Sequence, residues 1–301
     1  MLDPPALARI AECEVLAPAV AARSAAVVRS IQNTLGIATA RLAVERLIGN
    51  TLEAQGHPAI LRNDPNRLPD IYDPSFLHAD ADLVAMADGL VRHRQGRLCL
   101  FGPSGSGKSA FARWVAQRMD VPLQVRRASD LMSKWVGGSE KNIARTFRQA
   151  EQDQALLLID EVDGFLQDRR DARCGWEVTL VNEMLTQMES YCGVLMASTN
   201  LLAGLDPAAL RRFDVKVRFD YLVAEQAWRM LTRQCTALGI AQPLPELRPH
   251  LDRLVQLTPG DFAAVVRQHR LRPIATAAGL ITALAAECAL KEGGRPVIGF
   301  V

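Results

Sequence analysis

Net charge is nearly absent from this chain: 35 Lys and Arg face 33 Asp and Glu, leaving +2 over 301 residues. So balanced a charge gives no global electrostatic argument for binding nucleic acid or a membrane surface. Histidine is scarce, with His57, His78, His93, His250 and His269, and no H-E-x-x-H occurs, which excludes a zinc peptidase of that type. The six cysteines (Cys13, Cys99, Cys174, Cys192, Cys235, Cys288) are scattered and form no C-x-x-C pair. Reduced, buried thiols fit that spread better than zinc or a disulfide framework. No apolar run is long enough to span a bilayer. The opening "MLDPPALARIAECEV" has no basic start and carries acids where a signal peptide needs an apolar run. The expectation is a soluble cytoplasmic protein with no membrane partner. Hydrophobic residues at 49% over this length allow a sizeable core and two domains or subdomains.

Residues 1–60 read as a helical N-terminal region. "ALARIAECEVLAPAVAARSAAVVRSIQ" spaces its apolar residues helically, with a break expected at Pro18, and "ATARLAVERLIGNTLEAQG" reads as a second amphipathic helix ending near Gly56. Four prolines in "HPAILRNDPNRLPDIYDPSF" make 61–80 a linker or extended strap. Five short apolar runs follow: "RLCLF", "PLQVRR", "ALLLID", "GVLMAST" and "VKVRF". Helical stretches separate most of them, so 81–221 is expected to be an α/β domain with a five-stranded parallel sheet and helices on both faces. From 222 to 292 only helical patterns recur, which predicts a small helical domain, and 293–301 is a tail.

The chemistry begins at "GPSGSGKS", comprising Gly102, Pro103, Ser104, Gly105, Ser106, Gly107, Lys108 and Ser109. It matches G-x-x-x-x-G-K-[ST] between a strand and a helix, the context a P-loop requires. Glycines let the loop curl so that its N–H groups meet phosphates, and the helix dipole adds to the attraction. Lys108 can reach the β- and γ-phosphates, and the Ser109 hydroxyl can ligate Mg²⁺. "LLLIDE" ends a buried strand in two acids at the sheet edge where ligands of open α/β sheets bind. There Asp160 suits the Mg²⁺ shell, and Glu161 suits the general base that polarises an attacking water. Asn200, ending the next strand, could hold that water or a γ-phosphate oxygen without competing for metal. Arg211 and Arg212 form a pair just before the fifth strand. A guanidinium is well suited to transition-state charge on a transferring phosphoryl, an effect of about 10³ to 10⁵ in rate for known fingers.

"GPSGSGKS", "LLLIDEVD", "VNEMLTQMES", "ASTN" and "LDPAALRRFD" occur in the order and spacing of the AAA ATPases, within the AAA+ superfamily, and the resemblance covers roughly Ala81 to Ala289. It implies a P-loop NTPase αβα sandwich with a helical lid, ATP and Mg²⁺ as cofactors, and a homo-hexameric ring with ATP between neighbours. In that arrangement Arg211 or Arg212 would reach a neighbour's γ-phosphate; their adjacency is similar to the microtubule-severing and membrane-scission relatives. "WVG", comprising Trp135, Val136 and Gly137, resembles the aromatic-hydrophobic-Gly triplet of the pore loops that grip a protein substrate. The stretch "DRRDARCGWE" (168–177) falls where a second pore loop or a solvated loop would lie. Gly260-Asp261 stands where other AAA+ branches keep a sensing arginine.

Three readings share these residues. One is a ring motor that unfolds, extracts or disassembles a protein. Another is an ATP-switched loader or assembly factor acting on DNA or a nucleoprotein complex, against which the missing basic stripe counts. The third is a scaffold that holds ATP as structural glue, and it has no use for Glu161, Asn200 and the arginine pair.

Overall fold

The computed structural model describes residues 16–30, 44, 47, 48, 50, 51, 68, 72–132, 137–164, 166, 167 and 175–291. The chain divides into two compact units, 1–67 and 68–301. In the first unit, helix α1 (Pro18–Ser30) starts at Pro18 instead of breaking there. Proline is tolerated in a first turn because that N–H has no intrahelical partner to lose. Residues 44, 47, 48, 50 and 51 are helical. The helix end expected near Gly56 lies outside the described residues.

The second unit is built on a six-stranded sheet. Its strands are β1 (His78–Ala79), β2 (Gly96–Phe101), β3 (Leu123–Arg127), β4 (Leu156–Asp160), β5 (Val194–Thr199) and β6 (Val215–Asp220), in the spatial order β1-β6-β2-β5-β4-β3. The five expected strands are all present and mutually parallel. The sixth, β1, comes from the proline-rich segment and pairs antiparallel to β6, with His78 opposite Asp220. Two residues are too few for an alternation to show in the sequence.

Period-2 alternation splits the apolar strands between two cores. Leu157 and Ile159 of β4 and Leu195 and Ala197 of β5 face one core. Its helical cover comes from α4 (Ala128–Leu131), α5 (Gly138–Gln152), α6 (Gly175–Ser190) and α7 (Pro207–Arg212). Leu156, Leu158, Val194 and Met196 face the opposite core with Phe219 of β6. That side is closed by α2 (Leu83–His93) and α3 (Lys108–Met119), which contribute Leu83, Ala87, Phe111 and Val115. Strands buried on both faces explain why the sequence shows continuous apolar runs there.

Past Tyr221 a third core belongs to helices alone: α8 (Ala224–Leu238), α9 (Arg248–Asp252), α10 (Pro259–Leu271) and α11 (Ala277–Lys291). Leu231, Cys235 and Leu257 are its most enclosed members. Among the described residues, no helix is long and apolar enough to cross a membrane.

The start of α10 is held by one buried carboxylate. Asp261 accepts from Thr258 N at 2.7 Å, Thr258 Oγ1 at 2.8 Å and Lys291 Nζ at 2.6 Å. Replacing Asp261 by Ala uncaps α10 and leaves the ammonium of Lys291 without its carboxylate. Urea unfolding should show a loss of about 2–4 kcal/mol; a loss below about 0.5 kcal/mol would mean that the pair contributes little to holding α10.

Candidate functional site

The loop between β2 and α3 turns on left-handed glycines, with φ of 135° at Gly102 and 102° at Gly107. At Gly102 no other residue fits, because a Cβ would lie 2.0 Å from the Phe219 carbonyl oxygen of β6. Gly105 makes a second close approach. Its carbonyl accepts from Gly260 N at 2.9 Å, and a Cβ on Gly260 would lie 2.8 Å from Gly105 Cα. The loop is thereby joined to the N-terminus of α10 through main chain alone. Ser106 is buried, and its hydroxyl has no hydrogen-bond partner.

Lys108 is buried at the first turn of α3. Its Nζ donates to Gly102 O at 2.7 Å, Pro103 O at 2.9 Å and Asn200 Oδ1 at 2.9 Å. Burial holds its pKa below the ordinary lysine value, while the carboxylates of Asp160 and Asp163 pull it back up. Ser109 Oγ donates to Asp160 Oδ2 at 3.0 Å. The other carboxylate oxygen of Asp160 accepts from the Ser198 hydroxyl. Ser198 is also met by Glu161 N at 3.4 Å. Glu161 itself takes φ 60°, a left-handed conformation unusual for a residue with a side chain, and so breaks the chain sharply away from β4. Asp163 Oδ1 accepts from Asn200 N at 3.3 Å.

Lys108, Ser109, Asp160, Glu161, Ser198 and Asn200 line one cavity of about 830 Å³, together with Ser104, Gly105 and Gly107. The phosphate loop and the strand ends form its polar side. Phe76, Leu77, Met230, Leu238 and Phe262 make another side apolar, and Arg267 and Arg270 stand exposed on the cavity face of α10. The expected site residues on the loop, β4 and β5 are therefore brought together. Arg211 and Arg212 are not among the cavity's walls. Arg212 pairs with Glu189 at 2.6 Å and donates to Ala208 O at 3.0 Å, whereas Arg211 is exposed without a partner among the described residues. Trp135 and Val136 lie outside the described residues, as does most of 168–177; Gly137 is described, with φ 75° where α5 begins.

Some contributors were missed in the sequence. Ser198 and Asp163 carry the only available signal, a hydroxyl and a carboxylate close to Asn200 and Glu161 in the same motifs. The cavity wall from Tyr72 to Leu77 carried no motif. It is recruited by α8, where Gln226 Nε2 donates to Ser75 O at 3.2 Å and Leu77 O at 3.0 Å, and Arg229 and Arg233 lie over the Phe76 ring.

The donor set suits a nucleoside triphosphate with Mg²⁺. The curled loop and Lys108 offer positive charge, and Ser109 Oγ with the Asp160 carboxylate offers the hard oxygen ligands that Mg²⁺ requires.

Comparison with known proteins agrees with this geometry. Residues 98–221 match the model of the ATPase family associated with various cellular activities (AAA). Over 189 residues (59% of this chain), the sequence is 34% identical to spastin of Drosophila melanogaster, covering 24% of that protein. Spastin of Anopheles gambiae is also 34% identical over 189 residues, with 22% of it covered. The chain thus spans about a quarter of the length of the curated relatives it matches.

Lys108→Ala should weaken nucleotide binding itself by tenfold or more, since it removes the only side-chain cation bound into the loop among the described residues. Equilibrium titration with ATP reads this directly; unchanged affinity would contradict the phosphate-cradle role.

Proposed function

We propose that this chain, whose residues 98–221 match the AAA ATPase family, is an ATP hydrolase and the Mg²⁺-dependent motor of a homo-hexameric ring that remodels a protein substrate. The observation that carries this reading is the meeting of Lys108, Ser109, Asp160, Glu161 and Asn200 around one cavity, with Lys108 bonded to Asn200 and Ser109 to Asp160. In this reading 81–221 is the nucleotide-binding domain, 222–292 its lid, and 1–60 a separate helical region joined by 61–80. The work is done in the cytoplasm, without membrane or nucleic acid.

Lys108 exchanges its carbonyl and amide acceptors for β- and γ-phosphate oxygens. Because those acceptors are neutral, doubly charged phosphate competes well for a partly desolvated ammonium. Ser109 and Asp160 would hold a Mg²⁺ ion, which would supply charge neutralisation to the phosphates. Glu161, turned out of the strand beside Asp160, accepts the proton of the attacking water. Asn200, released by Lys108, orients that water or the γ-phosphate. Arg211 is free to reach a neighbour's nucleotide, which favours it as the finger, while Arg212 is engaged with Glu189 and steadies α7. Trp135, Val136 and Gly137 form the gripping loop. The left-handed Gly137 supports a sharp exit from that loop into α5, which carries no strain at glycine.

Hydrolysis measured against protein concentration, with molecular mass on the same samples, tests the ring. Turnover per subunit should rise as hexamers appear, and Arg211→Ala should remove that rise; flat turnover from a monomer would end the in-trans arginine and the pore together. Glu161→Gln should keep ATP bound while losing hydrolysis by 10²-fold or more; wild-type turnover would remove Glu161 as the base. Trp135→Ala should spare basal hydrolysis and abolish remodelling of an unfolded-protein substrate. Stimulation by DNA in place of protein would support the loader reading.

A further inference from the structure

One polar side chain on the cavity wall has no task in the hydrolysis chemistry. Gln234 sits in the middle of α8, 6% exposed, and contributes to the lining of the cavity. Its side-chain amide makes no hydrogen bond with any described residue. An amide carries two donors and two acceptor lone pairs, and here they open onto the cavity, where a ligand or water supplies the partners. The neighbours on the same helix face are Met230 and Leu238, one turn to either side, and both line the cavity too. Gln234 is thus an isolated polar group set in an apolar wall.

The phosphates have no reason to approach this wall. Lys108 and the N–H donors of the loop are at 102–109, and the further cavity cations, Arg267 and Arg270, are on α10, whereas the α8 residues lining the cavity carry no charge. An apolar surface with one amide at its centre suits a flat heteroaromatic ring with a donor beside an acceptor on its edge. Adenine has that edge: its 6-amino group lies next to a ring nitrogen, and glutamine meets the pair with two parallel hydrogen bonds.

We propose that Gln234 is the residue that reads the base of the bound nucleotide, accepting from the adenine 6-amino group through Oε1 and donating to the adjacent ring nitrogen through Nε2. This rests on the nucleotide reading of the cavity and adds base selection to it. The glutamine is a specificity-determining residue and takes no part in bond breaking. The apolar α8 face and the strap residue Leu77 supply the contact area, and the amide supplies the choice.

The test compares equilibrium binding of ATP and of purine riboside triphosphate, which lacks only the 6-amino group, to the wild-type chain and to Gln234→Leu and Gln234→Glu. The wild type should prefer ATP on the order of tenfold, the discrimination of the one hydrogen bond that the 6-amino group adds. Gln234→Leu should bind both nucleotides alike, with the larger loss falling on ATP. Its melting temperature without nucleotide should stay close to that of the wild type, because the amide holds no bond within the described fold. Gln234→Glu keeps the acceptor for the 6-amino group but loses the donor to the ring nitrogen, so it should bind both nucleotides more weakly while keeping the preference, and it serves should the leucine variant fail to fold; unchanged affinity for both would overturn the assignment. A preference for ATP that survives intact in Gln234→Leu would overturn it as well. An equal loss for both nucleotides in Gln234→Leu would overturn it too, placing Gln234 against the ribose or in packing only. If the wild type binds neither triphosphate, the nucleotide reading of the cavity falls and the base assignment with it.

Discussion

A lysine ammonium taken out of water must be surrounded by acceptors, and the demands of Lys108 organise the centre of this molecule. Two of its acceptors are carbonyls at the start of the phosphate loop. They face inward because Gly102 holds a backbone conformation and a proximity to Phe219 that only glycine allows. The third is Asn200, one residue beyond β5. Asp160 and Asp163, at and beyond the end of β4, keep the charge from becoming too costly. All of this requires β2, β4 and β5 to end level. Their register delivers that: Phe101 lies opposite Thr199, and Ile159 opposite Ala197. The chemistry is therefore a consequence of strand register.

Register in turn is held by the division of strand residues between two cores. Slipping β4 by one residue would exchange Leu156 and Leu158 with Leu157 and Ile159 between cores of different shape. It would also move Asp160 away from Ser109 and Ser198. Packing and catalysis thus select the same alignment, so strands with no polar face can still pair without ambiguity.

The parallel strands were legible because each is a full-length apolar run closed by a chemically distinctive residue, as β4 is by Asp160 and β5, one residue on, by Asn200. Helices α3, α5 and α8 were legible from their spacing. The segment from Tyr72 to Ala79 was legible only as a linker or extended strap; its partners Gln226, Arg229 and Arg233 are more than 140 residues away, and local pattern carries no trace of them. The same applies to the arginine pair. Adjacent in sequence, Arg211 and Arg212 look equivalent; only the position of Glu189 on the neighbouring helix α6 makes one an anchor and leaves the other free. Pro18 shows the limit of single-residue rules, because a proline breaks a helix only when the helix has already begun.

Several ties join the helical subdomain to the sheet domain. One is the chain itself, which runs on from β6 towards α8. Another is the strap, paired with β6 on one side and bound by Gln226 on the other. The third is the Gly105–Gly260 contact. The last of these ties belongs to the glycine-rich loop itself, and it is a main-chain hydrogen bond between two residues with no side chains to adjust. A displacement of Gly105 is therefore passed straight to the start of α10, with no side chain between them to absorb it.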